Sequence, residues 1–246
     1  MSPRIEQADW LDFVRTLQPG SIDLLYADPP FNTGARQASG AGAFDDRWPS
    51  TAAWVAWLRE RLDATRPALA PTASVLIHVD WRTAHHVRVV LGEMFGEACF
   101  VNHLIWAYGL GGSSPRRFAR KHDDILFFAA GSPDGYFFDP PMVPATSNRM
   151  KGELKKATDV LDIPAINNMA AERTGWPTQK PLALLQVLIG ACCRPDGTVL
   201  DPCCGSGTTL VAAARLGRDV IGCDLAPDAV SIARSRLNSV EPSPPG

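Results

Sequence analysis

The chain has 246 residues, 46% of them apolar and 20% charged, with a formal net charge of −2. It can bury a sizeable core within one domain of ordinary size, and it is not a globally basic nucleic-acid binder, so such a partner needs a local basic patch. The six cysteines (Cys99, Cys192, Cys193, Cys203, Cys204 and Cys223) show neither CxxC nor partnered histidine spacing, which argues for reduced thiols in a cytoplasmic protein and against a disulfide scaffold or any metal site.

In chain order, SIDLLYA (21–27) reads as a buried strand that ends abruptly in Asp28-Pro29-Pro30-Phe31. The stretch NTGARQASGAGAFDDRW (32–48) reads as a flexible loop. TAAWVAWLRERLDATRPAL (51–69) predicts an amphipathic helix, SVLIHVD (74–80) a strand and WRTAHHVRVVLGEMF (81–95) a second helix. Strands are expected at 98–108 and 123–130, with GLGG (109–112) as a hinge between them. From about 132 to 176 the pattern breaks into Pro, Asn, Lys and Gly, too long for a simple connection. Helix 180–193, strand 197–202, helix 208–217, strand 219–224 and helix 227–240 follow, the last with Pro at its first turn, and EPSPPG is expected to be a disordered tail. Alternating strands and helices predict a mostly parallel sheet with helices on both faces. No basic-then-apolar leader and no apolar run of ~18 residues occurs, so neither export nor a membrane partner is expected. His85, His86 and His103 carry no ligand spacing and read as helix-surface and core positions.

Two turns carry the chemistry. In VLDPCCGSGTTLVAAARLG, Gly205 and Gly207 allow a tight turn at a helix N-terminus, and nineteen residues after Gly205 the strand DVIGCD delivers Asp224, where an acid can bind ribose hydroxyls. GxGxxG is not met, no basic residue sits in the turn, and Asp201 at the strand end would repel pyrophosphate. That acid suits a ligand bearing ammonium or sulfonium, so S-adenosylmethionine is preferred to NAD. At the first turn, Asp28 and a carbonyl left free by the prolines can accept both N–H groups of an exocyclic amine and aim its lone pair at a methyl donor. Pro29 and Pro30 hold φ near −65°, and Phe31 offers a face for an extruded base. A simple strand-ending turn would be the purely structural reading.

ADPPF, then TQKP, then DPCCGSGTT in that order resembles the amino-methylating DNA methyltransferases of bacteria, specifically their β group, over residues 19–235. The resemblance implies a single catalytic domain over 1–246 with a Rossmann-like S-adenosylmethionine-dependent methyltransferase fold, and a small DNA-recognition insertion at about 132–172. It implies that Asp28, Pro29, Pro30 and Phe31 are catalytic. Asp201, Cys203, Gly205, Gly207 and Thr208 would form the cofactor loop, Asp224 the ribose acid, and Thr178, Gln179, Lys180 and Pro181 the segment closing over the methionine part. Relatives often carry Tyr or Trp where Phe31 stands and Phe where Cys203 stands. The Pro202-Cys203 pair is similar to that of cytosine-C5 enzymes, yet it lies inside the glycine turn, so Cys203 is not expected to be a nucleophile.

RFARKHDDILFFAAG (117–131) is similar to a stretch these enzymes place near DNA. Double-stranded DNA is the expected partner, with phosphate contacts from Arg116, Arg117, Arg120 and Lys121 and from Arg149, Lys151, Lys155 and Lys156, and Arg36 and Arg47 as weaker contacts. The resemblance also admits a homodimer and a cognate restriction endonuclease as partners. Adenine N6 is the expected target because cytosine-N4 relatives more often carry Ser at the Asp28 position; cytosine N4 is the alternative. A non-catalytic DNA-binding subunit is the alternative of another class, and an NAD-dependent dehydrogenase a third.

Overall fold

The computed structural model describes residues 3–109, 113–145, 152–167 and 169–240. In chain order its elements are β1 (Arg4–Gln7), α1 (Trp10–Val14), β2 (Ile22–Ala27), β3 (Ala35–Ser39), β4 (Gly42–Asp46), α2 (Thr51–Thr65), β5 (Leu69–Val79), α3 (Ala84–Phe95), β6 (Phe100–Ala107) and β7 (His122–Ala129). Then come β8 (Met142–Pro144), β9 (Leu154–Lys156), β10 (Val160–Asp162), α4 (Leu182–Cys192), β11 (Thr198–Asp201), α5 (Thr208–Arg215), β12 (Asp219–Asp224) and α6 (Pro227–Asn238). The eight-stranded sheet runs β1-β12-β11-β2-β5-β7-β6-β10. All neighbours pair in parallel except across β7, which is antiparallel to both β5 and β6.

The continuous apolar runs are what a strand covered on both faces requires. All six residues of β2 are buried, and alternate side chains go to opposite cores. Ile22, Leu25 and Ala27 pack with Trp10, Phe13, Trp54, Leu58 and Leu91 of α1, α2 and α3. Leu24 and Tyr26 pack with Leu184, Leu188, Leu210, Val211 and Ala233 of α4, α5 and α6. The chain leaves β11 through α5 toward one edge of the sheet and leaves β2 through α2 toward the other. The two connections therefore diverge between β11 and β2, opening a crevice at their carboxyl ends, where ligands of open α/β sheets bind.

The alternating strands and helices from 21 to 240 form as expected. Three readings are corrected. Residues 32–48 are not a flexible loop: β3 and β4 pair as an antiparallel hairpin, its base fixed by the buried Asp46, which accepts from the Asn32 N–H (2.7 Å), the Thr33 N–H (3.0 Å) and the Thr33 hydroxyl (2.5 Å). His103 is not a core position, because it lies on the exposed side of β6 with Nε2 2.6 Å from Asp124 Oδ1. The irregular stretch contains a two-stranded sheet, β8–β9, and the edge strand β10. The tail 241–246 and residues 110–112 of the hinge lie outside the described residues. Among the described residues, no helix is long and apolar enough to cross a membrane.

Candidate active site

A cavity of about 460 Å³ opens at the divergence of β11 and β2. Its walls bring together the 28–31 turn, the 201–208 turn, Asp224, the 178–180 segment and the β3–β4 hairpin. The first turn is held from outside. The indole Nε1 of the fully buried Trp54 donates to the Pro30 carbonyl at 2.7 Å, which anchors the turn to α2. Asn32 takes φ +58°, a left-handed conformation Asn tolerates, and its N–H is the one bonded to Asp46. Asp28, Pro29, Pro30 and Phe31 all line the cavity.

Asp28 is not alone. Lys180 Nζ lies 2.6 Å from Asp28 Oδ2 and 4.8 Å from the centre of the Phe31 ring. Beside Phe31 is the buried His78, ring centres 5.8 Å apart. His78 Nδ1 is 2.7 Å from the Tyr26 hydroxyl and Nε2 is 3.3 Å from Asp123 Oδ2. Burial, with Asp28 and Asp201 nearby, pushes the Tyr26 hydroxyl well above its ordinary pKa, so Tyr26 stays protonated. Burial also works to raise Asp123, but the contacts with His78 and Tyr108 and the nearby Lys180 outweigh it and hold that carboxyl low.

On the β11 side, Gly205 and Gly207 take φ of +50° and +76°. Gly207 is also sterically required, because a Cβ there would stand 2.7 Å from the Ala233 Cβ of α6, and a Cβ on Gly205 would crowd Trp176 Nε1 at 3.0 Å. The Gly205 N–H donates to Asp224 Oδ2 at 2.8 Å and the Ala226 N–H to Asp224 Oδ1 at 2.9 Å. The Leu225 N–H adds a third backbone bond to the same carboxylate, which fixes its orientation at the cavity wall. Asp201 is 2% exposed; burial is the main cause that pushes its pKa up to about 7, with Asp28 and Asp224 adding to it against hydrogen bonds from Thr209 and the Cys203 N–H. Burial and the neighbouring Asp201 and Asp28 push the Cys203 thiol far up, which leaves no thiolate to act as a nucleophile. Thr208 lines the cavity and accepts from Arg236 Nη1 at 3.0 Å.

Of the 178–181 segment, Thr178, Gln179 and Lys180 line the cavity, whereas Pro181 is the N-cap of α4. The Gln179 amide is occupied within the turn: Oε1 accepts from the Thr174 N–H and hydroxyl, and Nε2 donates to the Glu172 carbonyl, all at 2.8 Å.

The basic residues divide. Arg117 and Arg120 line a second cavity of about 280 Å³, with Asp80, Trp81, Arg82, Tyr108 and Asp123. The Arg120 guanidinium carbon sits 3.3 Å from the centre of the Trp81 ring. Arg116 is exposed nearby, and Lys121 donates to the Gly109 carbonyl at 2.9 Å. Lys155 and Lys156 lie on β9 and line neither cavity, while Arg149 and Lys151 fall outside the described residues. Of the weaker contacts, Arg36 is exposed on β3 and Arg47 pairs with Asp45 at 2.6 Å.

Sequence reasoning missed Asp9, Trp10, Trp57, Arg61 and Trp176, all lining the first cavity. Asp9 caps α1 through the Leu11 N–H (2.8 Å) and is gripped by Arg61 Nη2 at 3.0 and 2.8 Å, and Arg61 stacks on Trp57. No local signal marks them: Gln7 of the short, polar β1 pairs opposite Asp224 and so delivers Asp9 beside it only once the sheet has formed.

The chain and its fold are similar to known proteins. The chain is 28% identical to the Type II methyltransferase M.HpaI of Haemophilus parainfluenzae over 97% of its own length and 75% of that protein's. It is 25% identical to the Type II methyltransferase M.ScaI of Streptomyces caespitosus, over 94% and 80%. Its fold superposes on the cytosine-N4-specific PvuII DNA methyltransferase with a TM-score of 0.70 at 18% identity, covering 96% of this chain and 87% of that one. It superposes on M1.HpyAVI in complex with SAM with a TM-score of 0.67 at 21% identity, covering 96% and 98%. The profile of the N6/N4 DNA methylases matches residues 22–235, from the first strand that positions Asp28 to the last helix, and the chain belongs to that family.

Proposed function

We propose that this DNA methylase moves the methyl group of S-adenosylmethionine to the N6 amine of an adenine extruded from double-stranded DNA. What supports the reading above all is that one cavity gathers the Asp28 turn and the Gly205 turn, which lie far apart in sequence. The walls fit the cofactor's chemistry: Asp201 and Asp224 are carboxylates suited to a cationic sulfonium compound and to ribose hydroxyls, and Gly205 bares backbone for close approach, while Gly207 lets the turn pack against Ala233 of α6. Cys203, Thr208, Thr178 and Gln179 complete the cofactor side in this reading, with Pro181 capping α4 behind them. When bound, the cofactor supplies an electrophilic methyl group.

The chain's own residues then do the rest. Asp28 Oδ1 and the Pro29 carbonyl accept the two amine N–H bonds, which favours a pyramidal nitrogen with its lone pair free. Phe31 stacks on the base. With the cofactor bound, the amine nitrogen would take its methyl group as the sulfonium is released as the thioether, and Asp28 would receive one amine proton. Catalysis rests on positioning and aimed polar groups rather than on a covalent intermediate. Adenine is chosen over cytosine N4 because cytosine-N4 relatives more often carry Ser at the position of Asp28. Residues 1–246 act as one catalytic domain in the cytoplasm, with about 132–172 as the recognition insertion, and phosphate contacts come from Arg116, Arg117, Arg120, Lys121, Arg149, Lys151, Lys155 and Lys156. A second copy of the chain and a cognate restriction endonuclease are the protein partners this reading implies.

The test is to incubate unmodified genomic DNA with the protein and methyl-labelled cofactor, then digest it and weigh the nucleosides. N6-methyladenine is expected, and N4-methylcytosine would overturn the base assignment alone. No labelled base together with no cofactor binding by titration would point to the non-catalytic subunit.

A further inference from the structure

We propose that Lys180 is the positioning residue of the Asp28 carboxylate: its ammonium holds Oδ2, turns Oδ1 toward the amine, and ties the 178–181 segment to the catalytic turn. The inference rests on the reading of Asp28 as the amine acceptor.

Asp28 follows the last residue of β2, and its side chain is one-fifth exposed, so packing alone does not fix the plane of its carboxyl group. Lys180 Nζ lies 2.6 Å from its Oδ2 and is delivered from 152 residues further along the chain. The same ammonium lies 4.8 Å from the centre of the Phe31 ring. One cation thus touches both groups that the amine and its base require, and fixes them relative to each other.

The lysine is itself held. Thr178, two residues earlier, takes φ +61°, a rare conformation for a β-branched residue that persists only where its surroundings over-determine it. Those surroundings are the Gln179 amide, bonded on both sides, and the Glu172 carboxylate, which accepts the first helical N–H of α4 from Leu182 at 3.0 Å. Lys180 is 9% exposed, and an ammonium so buried is costly unless paired.

Charge gives a second reason. Asp28, Asp201 and Asp224 share the cavity, and the cations lining it among the described residues are Lys180 and Arg61. Arg61 is engaged with Asp9. Lys180 is therefore the cavity cation that remains to offset the charge of Asp28. The resemblance places Lys180 in a segment closing over the cofactor; the geometry gives its ammonium to the catalytic carboxylate.

The test compares Lys180→Met, Lys180→Arg and Asp28→Asn with the natural protein. Cofactor affinity is read by calorimetric titration, and kcat and KM for DNA at saturating cofactor. Lys180→Met should lose kcat by roughly a hundredfold, the scale of a misplaced reacting group, with cofactor affinity and KM for DNA kept. Lys180→Arg restores the charge and should recover part of kcat, and it carries the test if the Met variant does not fold. A Lys180→Met protein that keeps kcat but binds the cofactor more weakly overturns the proposal, as does an Arg variant no better than the Met one. Turnover retained in Asp28→Asn would instead sink the reading of Asp28, whatever Lys180 does.

Discussion

At the end of β11 the Asp201 carboxyl is 2% exposed and its pKa stands at about 7, burial being the main cause. The folded protein therefore keeps a proton there that the unfolded chain has already released, between the ordinary carboxylate range and pH 7. With more protons bound in the folded state, stability falls as pH rises through that window and stays low above it. A rise of about three units corresponds to ~4 kcal/mol at most. Asp201→Asn should thus raise the melting temperature of the ligand-free protein at pH 8, by on the order of 2–4 kcal/mol in stability, and change it little at pH 4. Equal melting at pH 8 would mean the group is not desolvated as its burial implies. The same substitution should weaken cofactor binding, since Asn offers no charge to a sulfonium or ammonium: stability and function pull apart at one atom. Asp28 behaves differently. Asp28→Ala should abolish methyl transfer while cofactor titration stays nearly unchanged, and retained turnover would remove it from the mechanism.

The β3–β4 hairpin is where sequence reading and structure differ most among the elements. ASGAG (38–42) has the composition of a mobile loop, and nothing local says otherwise. What orders it is distant: Asp46 fixes the base, and the tip closes on Trp176, more than 130 residues later, so tightly that a Cβ on Gly42 would stand 2.3 Å from the indole ring. Gly42 also takes φ +150°, which other residues rarely adopt. Gly42→Ala should lift the tip from Trp176, speeding proteolytic cleavage within 35–46 and weakening cofactor binding, with the global melt little changed. A hairpin as resistant as the natural one would show that the contact does not close it. The rest follows the same division. Long apolar runs announced β2, β5, β7 and β12, and the local turn chemistry of Asp28, Gly205 and Asp224 marked the cavity. β1, β8, β9 and β10 are three or four residues each and mostly polar or exposed, so they carry no periodicity to read. The bonds of Lys180 to Asp28, Trp54 to Pro30 and Arg61 to Asp9 join residues 152, 24 and 52 positions apart, and only the folded sheet brings them together.

For the whole molecule, the direction of β7 decides where charge goes. Every other strand of the sheet points its carboxyl end to the crevice, whereas β7 begins there. The connection from Ala107 at the end of β6 to His122 at the start of β7 therefore lies along the same edge as Asp28 and Asp201, and it carries Arg116, Arg117, Arg120 and Lys121. A protein of net charge −2 gains a basic rim on its functional edge without becoming basic overall. Within that rim Arg82 is bonded to Asp80, while Arg120 lies over Trp81 beside Arg117 at the mouth of the second cavity. If these two arginines neutralise DNA phosphates, each releases counterions, and removing both should flatten the dependence of log affinity on log salt by up to about 1.8, at about 0.9 per contact. Arg117→Ala/Arg120→Ala should weaken binding about equally for methylatable and unrelated duplexes, because phosphate contacts carry no sequence information. Fluorescence anisotropy on both duplexes across a salt series measures this. An unchanged slope would take the two arginines off the DNA, and a loss confined to the methylatable duplex would make them readers of bases instead.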